Sequence, residues 1–267
     1  MDKEEKIPKR IFLPVILLLI TSCDFTPRLS KDVLAAQEYI QEHEYEKAAS
    51  RYEAILKESL TPEIRLKINY QLAELYSTYI NNQPKALYYY TQVKNEADDP
   101  LWVVKSEEKM GEINFSYLGN FDAAINSYLR LTQFEPRLDR YDFYHYRLGI
   151  SYINAGKYPE AIDIFEKIQK DVNGEYYAKT YYFIGMVYFQ QREWAKAIAF
   201  WREYLKIEKR LDQIVNAKFF MANAYEMLEE LKIAYDIYYS ILSTYPYPEV
   251  IQSRLNSIYQ RRLARKR

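Results

Sequence analysis

Four short phrases of one pattern recur along the chain, and they constrain the fold more than any other feature of the sequence. In each phrase an aromatic residue is followed by Ala three positions later and by a second aromatic residue four positions after that. Steps of three and four residues place these side chains on one face of a helix. The small Ala lets a second helix approach closely, and the aromatic rings close the contact on either side. The phrases are Tyr45–Tyr52, Phe121–Tyr128, Tyr158–Phe165 and Trp194–Trp201.

A second helical signal, Gly or Ala with Tyr three positions later, precedes the later phrases. It occurs at Gly149 with Tyr152, at Gly185 with Tyr188 and at Ala222 with Tyr225. Gly119 and Gly156 lie between paired signals, where a residue at positive φ ends a helix at low cost. Pro136 and Pro246 follow the helix that carries the aromatic phrase, the second of its pair, and end it. The sequence therefore predicts pairs of helices that repeat along the chain.

This pattern resembles the tetratricopeptide repeat (TPR) family, whose unit is a helix–turn–helix of about 34 residues. The resemblance covers about six units over residues 31–246, and residues 247–267 form a helix that covers the open end, followed by a basic tail. The third unit shows no Gly at the usual place and has Phe115 where the others have Tyr. The resemblance implies an all-α fold, a right-handed α-α superhelix with a C-terminal capping helix.

The N-terminus is typical of a secretory signal. Basic residues precede the apolar run Ile11–Ile20, which is too short to span a bilayer, and the lone cysteine, Cys23, follows it. The segment 19–23 resembles a bacterial lipobox, which implies a signal peptide over 1–22, lipidation of Cys23 and an anchor linker over 23–30. An uncleaved signal anchor or a buried free thiol remains the alternative. Asp24 leaves the choice between the inner and outer membrane open.

No group of residues indicates catalysis or a cofactor. The two histidines, His43 and His145, lie far apart in the sequence, so they form no helical metal pair. Neighbouring carboxylates such as Glu107 and Glu108 project about 100° apart on a helix, and we expect them to be solvated. The chain has 37 basic and 37 acidic residues, which gives no reason to expect nucleic acid. We expect no enzyme activity, no metal and no cofactor.

In a TPR solenoid the first helix of each unit lines an inner groove, and that resemblance selects a set of candidate binding residues. Aromatic residues and Met are enriched at protein interfaces. We expect the groove to bind a segment of another protein, while packing between helices is the alternative role for the same side chains. The candidate residues are Tyr70, Phe143, Tyr146, Ile150, Ile153, Tyr182, Met186, Phe189, Phe219 and Met227.

The C-terminal residues 248–267 carry six basic side chains and one acidic one, Glu249. They either contact anionic lipid or an acidic partner, or form a frayed, soluble end, and the frayed end is favoured.

Together these features predict a lipid-anchored scaffold in the bacterial envelope, with its body in the periplasm and other envelope proteins as partners. The resemblance favours the barrel-assembly type of TPR lipoprotein. A pilotin, or a structural collar of a pilus, motor or secretion machine, is the alternative. A periplasmic ligand carrier, or an enzyme with an unrecognised groove site, is the alternative from another class. The sequence does not indicate the oligomeric state.

Overall fold

The computed structural model describes residues 27–265, and this part of the chain is all-α. The predicted signal peptide and the predicted lipidation site at Cys23 lie outside the described residues. Within them, no helix combines the length and the apolar character needed to cross a membrane. The first helix begins at Arg28, three residues before the predicted start of the repeats.

The described residues contain thirteen α-helices and two π-helical segments. They are α1 (Arg28–Gln41), α2 (Tyr45–Ile55), α3 (Pro62–Glu74), π1 (Leu75–Tyr79), α4 (Gln83–Glu96), α5 (Pro100–Glu112), π2 (Ile113–Tyr117), α6 (Phe121–Thr132), α7 (Tyr141–Asn154), α8 (Tyr158–Ile168), α9 (Tyr177–Gln190), α10 (Trp194–Ile207), α11 (Leu211–Met227), α12 (Leu231–Ile241) and α13 (Pro248–Ala264). The first twelve α-helices pair into six hairpins, numbered one to six, and α13 follows the last. Three residues join the two helices of every hairpin.

The chain divides into two compact units after Ile55. Hairpin one belongs to the first unit, in which Ala36 of α1 and Ala48 and Tyr52 of α2 are buried. Hairpins two to six and α13 form the second unit. Within that unit α4 packs against α3 and α5, and the same contact between chain neighbours recurs along the later helices.

The same pair of side chains forms the centre of every hairpin. The fourth residue of each second helix is Ala and the eighth is aromatic, and both are buried. In hairpins three, four and five this aromatic ring packs against a glycine of the first helix. A Cβ atom added at Gly149 would lie 2.6 Å from the Phe165 ring, and one added at Gly185 would lie 2.5 Å from Trp201. Glycine is therefore required at these two contacts for steric reasons.

Every hairpin turn contains one residue at positive φ, two positions before the second helix. These residues are His43, Asn81, Gly119, Gly156, Arg192 and Glu229. In hairpin four the backbone N–H of Lys157 donates to the carbonyl of Tyr152 at 2.9 Å, and that of Gly156 donates to Ile153 at 2.9 Å. This is the hydrogen-bond pattern of a Schellman cap, which satisfies the last carbonyls of the first helix.

Hairpins two and three contain one additional residue at the end of the first helix. The distance from the buried small residue to the second helix is nine positions in hairpin four, from Gly149, but ten in hairpin three, from Gly111. The additional residue is accommodated in π2, so the N–H of Asn120 reaches six residues back to Asn114, at 2.9 Å. The prediction that the third unit lacks its glycine is wrong: a Cβ at Gly111 would lie 3.1 Å from Tyr128, in the place of the other glycines.

The final helix α13 covers the last hairpin with an apolar face of Ile251, Leu255 and Ile258. Its basic residues are held by acidic groups of hairpin six. Arg261 donates to Glu226 at 2.9 Å, and Arg265 is paired with Glu229. The expectation of a frayed end is therefore wrong up to Arg265. Arg261 and Arg265 lie one helical turn apart, so both can pair with carboxylates on α11 and on the turn that follows it.

The expectation that Glu107 and Glu108 are solvated is also wrong. The Glu107 side chain is 2% exposed and accepts from Arg130 at 2.8 Å, with Lys94 at 3.5 Å. Glu108 is paired with Arg140 at 3.0 Å. The reason is that α5 packs between α4 and α6, so adjacent positions of α5 are both covered. Charge pairing inside the stack was not visible from the spacing of the two residues alone.

Candidate functional site

The ten candidate groove residues all lie on the first helices of their hairpins. Tyr70 lies on α3, and the other nine lie on α7, α9 and α11. We call these nine residues, which span hairpins four to six, the groove face. Nine of the ten candidates are half-buried, and Met227, the last residue of α11, is 58% exposed.

Tyr146 lies at the centre of a cluster that joins hairpins four and five. Its ring stacks on Tyr176 at a centroid distance of 4.6 Å and meets the edge of Phe183 at 5.7 Å. The ammonium group of Lys179 lies 5.2 Å from the Tyr146 ring and 4.7 Å from that of Tyr176. Burial raises the pKa of Tyr146, so the phenol is neutral at physiological pH.

Tyr182 occupies the corresponding position one hairpin later. Its ring contacts Tyr204 at 5.4 Å and Phe183 at 5.3 Å. The side-chain amide of Asn216 donates to its hydroxyl at 3.5 Å, at the long limit for a hydrogen bond. Burial raises the pKa of Tyr182 to about 12. Its hydroxyl therefore remains a neutral donor that a partner could use.

The C-terminal part of the groove face is also aromatic. Phe189 meets the edge of Trp194 at 5.0 Å, and Phe219 stacks on Tyr245 at 4.8 Å. Tyr245 comes from the segment between α12 and α13. Its pKa is raised by burial, so this hydroxyl too remains protonated.

Three of the candidate residues share one arrangement that the sequence did not predict. Tyr70 and Tyr146 each pack on a ring near the start of the next hairpin, and Phe219 packs on a ring just before α13. Those rings belong to Trp102, Tyr176 and Tyr245. These positions lie outside the repeated phrases. An aromatic residue close to the start of the following helix is the sequence feature that could have predicted them. The first two contacts bridge successive hairpins, and the third joins hairpin six to the segment before α13.

Charged side chains are scarce on the central helix of the groove face. Among the 14 residues of α9 only Lys179 is charged, whereas α10, of the same length, has four charged side chains. Lys179 lies over two tyrosine rings, in a cation–π contact. A central helix with one cation and otherwise uncharged side chains favours a partner segment that presents apolar side chains to it.

A small cavity of about 230 Å³ opens beside Phe143, at the start of hairpin four. It is lined by Asp139, Arg140, Asp142, Phe143, Glu175 and Tyr176. The Arg140 guanidinium lies 4.2 Å from the centre of the Phe143 ring and is also paired with Glu108. The cavity thus adds hydrogen-bonding groups at one end of a face that is otherwise apolar.

The two histidines are separate and have different roles. His43 is the exposed turn residue of hairpin one, at φ 61°. His145 is buried in α7, where Nδ1 lies 3.1 Å from the carbonyl of Tyr141, and burial lowers its pKa. Within residues 27–265 no group of three or more His, Cys, Asp or Glu side chains is arranged to hold a metal ion.

Stacked hairpins with an aromatic face define this molecule as a helical-repeat protein. Residues 113–176 and 146–211 match the family model of the tetratricopeptide repeat. No protein of curated function matches the sequence. The fold class predicted from the sequence is confirmed for the described residues: they form an all-α fold of repeated helical hairpins, and the central part of this fold matches the TPR model.

Several solved structures are similar to it. One is PilW, described as a widely conserved type IV pilus biogenesis factor, with 14% identity and a TM-score of 0.54 over 85% of this chain and 98% of PilW. Another is a signal transduction ATPase with a TPR sensor from Pyrococcus horikoshii, with 17% identity and a TM-score of 0.60 over 86% of this chain and 38% of the ATPase. The C-terminal part of a TPR protein from Cytophaga hutchinsonii has 17% identity and a TM-score of 0.56, over 87% and 94% of the two chains. At sequence identities this low, these similarities show a shared fold and nothing further.

Proposed function

We propose that this protein is a lipid-anchored TPR scaffold of the bacterial envelope, which binds a segment of a partner protein on the groove face. The observation that carries the binding role is the composition of that face. It is rich in aromatic residues and Met, its central helix has a single charge, and its tyrosines are neutral. The cores of protein interfaces have this composition, with charged residues depleted and Tyr, Phe and Met enriched.

The partner segment is either a helix laid in the groove or an extended peptide. Stacking on Tyr176 and on Tyr245 holds Tyr146 and Phe219, respectively, in fixed positions. A pre-ordered surface loses little side-chain entropy on binding. The groove face therefore suits recognition of a segment that becomes ordered when it binds.

The binding role is tested by capture of partners from detergent-solubilised membranes. In the Tyr146→Ala/Tyr182→Ala variant we expect capture to be lost, because two rings of the face are removed. Met227→Lys places a charge on the most exposed residue of the face, and we expect it to weaken capture without affecting the fold. Tyr239→Ala is the matched control, since Tyr239 is 66% exposed on α12, a second helix. Unchanged capture by the folded double variant would refute the binding role.

The anchor is a separate part of the proposal and rests on the sequence around Cys23. In cells fed a palmitate analogue, we expect the wild-type protein to incorporate the label and to fractionate with membranes. The Cys23→Ser variant should incorporate none. Equal labelling of that variant and the wild type would contradict lipidation at Cys23. Partner binding to the groove face can be assayed whatever the result.

Two pathways are the leading candidates for the scaffold. The sequence resemblance favours the barrel-assembly type, and the likeness to PilW over nearly its whole length makes pilus biogenesis the second candidate. Mass spectrometry of the captured proteins distinguishes them. Barrel-assembly components support the first candidate and pilus components support the second. A bound small molecule without a protein partner would favour the ligand-carrier or enzyme alternative instead.

A further inference from the structure

The turns of hairpins two and three differ from the other four in two ways. Their first helices end in π1 and π2, and the three residues that join their helices are uncharged. These residues are 80–82 and 118–120. In each of the other four hairpins the corresponding three residues include a charged side chain. Those side chains are Glu42, Glu44, Lys157, Arg192, Glu193, Glu229 and Glu230.

The two uncharged turns carry exposed tyrosines at equivalent positions. Tyr79 ends π1 and is 53% exposed, and Tyr117 ends π2 and is 61% exposed. Leu118 beside the second is also exposed. We call residues 77–82 and 116–120 the tyrosine edge. Apart from Tyr, Ile and Leu, the edge consists of Ser, Thr, Asn and Gly.

The core of these hairpins does not depend on the additional residue. Gly111 contacts Tyr128 in hairpin three as Gly149 contacts Phe165 in hairpin four, where no residue is inserted. The insertion therefore changes the turn and its surface rather than the packing beneath. Single π turns are rare and occur frequently at functional sites. Two in consecutive hairpins, at the same position, point to a role for the surface they form.

We propose that the tyrosine edge is a self-association surface, which binds the same edge of a second copy of this chain about a twofold axis. A twofold contact brings a patch against itself, so any charge in the patch is placed near its own copy. An uncharged patch avoids this repulsion. The chain has 74 charged residues among 267, so an uncharged edge at two successive exposed turns is a departure from its composition.

The residue types of the edge also fit this contact. Tyrosine supplies a large, rigid contact area, and Ser, Asn and Gly supply adaptable hydrogen bonds. A partner of opposite charge would require charged groups on the edge, and residues 77–82 and 116–120 include none. The two charged side chains that contact Ser116 at its border, Glu112 and Arg147, are paired with each other at 3.9 Å. The edge comprises eleven residues, fewer than the roughly 20–30 that each side of a standard interface contributes, so the dimer should be weak and dependent on concentration.

The test is sedimentation velocity of the full chain over a range of micromolar concentrations, in a detergent matched to the density of the solvent. We expect the wild-type protein to dimerise as its concentration rises. The Tyr79→Lys/Tyr117→Lys variant should dimerise at least tenfold more weakly, because four like charges meet at the axis. Tyr239→Lys, which changes a tyrosine of similar exposure on α12, is the control and should dimerise like the wild type.

A charge-swap mixture separates direct contact from a folding defect. The Tyr79→Glu/Tyr117→Glu variant alone should also be monomeric, but mixing it with the lysine variant should restore a dimer of mixed composition. A wild-type protein that is monomeric throughout would overturn the proposal and leave the edge to another partner. A lysine variant that still dimerises, or a mixture that stays monomeric, would overturn it as well.

Discussion

At the scale of single residues, the contact between Gly149 and Phe165 is one of the two closest that the core glycines make. A Cβ at Gly149 would lie 2.6 Å from the ring, well inside van der Waals contact. We expect Gly149→Ala to lower the free energy of unfolding by about 2 kcal/mol, the usual cost of overpacking. Urea denaturation measures the change.

The control for this prediction is a double-mutant cycle with Phe165→Leu, which removes the ring. The alanine should cost much less in that background, because its steric conflict is with Phe165. Additive effects of the two substitutions would place the conflict elsewhere.

The positive-φ residues of the turns give a second prediction. Arg192 is exposed and adopts φ 63°, a conformation that costs about 1–2 kcal/mol for a residue with a Cβ. Glycine avoids this cost but loses about 0.5–1 kcal/mol through the entropy of the unfolded chain. We therefore expect Arg192→Gly to stabilise the protein by about 0.5 kcal/mol. Gly156→Ala is the reverse control: nothing lies within 4 Å of the added Cβ, so its loss of stability measures backbone strain alone.

Glu208 gives a prediction on pH dependence. Hydrogen bonding from Arg210 lowers the pKa of this carboxyl to about 2, below the value of about 4.3 in an unfolded chain. A depressed pKa stabilises the fold above about pH 4.3, and this contribution is lost as pH falls towards 2. We expect Glu208→Gln to cost about 1–2 kcal/mol at pH 7, reduced by solvent screening at the exposed Arg210.

The difference between this variant and the wild type should shrink at pH 3, as measured by urea unfolding at both pH values. Glu203→Gln removes an exposed pair with Lys206 and should have little effect at either pH. An equal loss of unfolding free energy at pH 7 and pH 3 for Glu208→Gln would contradict a depressed pKa of Glu208.

At the scale of helices, the aromatic phrases predict the second helices well. Tyr45, Phe121, Tyr158 and Trp194 each begin one, because the period of three and four residues describes a continuous helix. The π segments were not predicted, since one additional residue leaves the local composition helical. Only counting positions between the buried small residue and the next helix reveals it. Rings such as Trp102 and Tyr176 were missed because they lie outside the repeated phrases.

The inserted residue gives the prediction at this scale. Deletion of Thr78, which is exposed in π1, gives hairpin two the nine-residue spacing of hairpin four. We expect π1 to become α-helical, with stability within about 1 kcal/mol of the wild type. Deletion of Asn154 is the matched control. It shortens a regular spacing and rotates the following residues by about 100° around the helix axis. The loss of stability should therefore be much larger than for deletion of Thr78. Thermal unfolding followed by circular dichroism compares the two.

At the scale of the whole molecule, stability within residues 56–265 should be distributed along the stack. Each helix there packs mainly on its neighbours in the chain, so no single core joins all hairpins. In such a solenoid the free energy of folding is approximately a sum over hairpins and the interfaces between them. The aromatic contacts between hairpins, such as Tyr146 with Tyr176, belong to the interface contributions.

Native-state hydrogen exchange of the full chain tests this distribution. Ile241 is buried in hairpin six, and Ile241→Ala should cost about 2–5 kcal/mol locally. We expect faster exchange in α11, α12 and α13, with a progressively smaller effect towards hairpin two. Leu148→Ala, in the central hairpin four, should raise exchange on both sides of the substitution. Equal acceleration in every hairpin for both variants would instead indicate one cooperative unit, in which the interfaces couple more strongly than nearest-neighbour packing predicts.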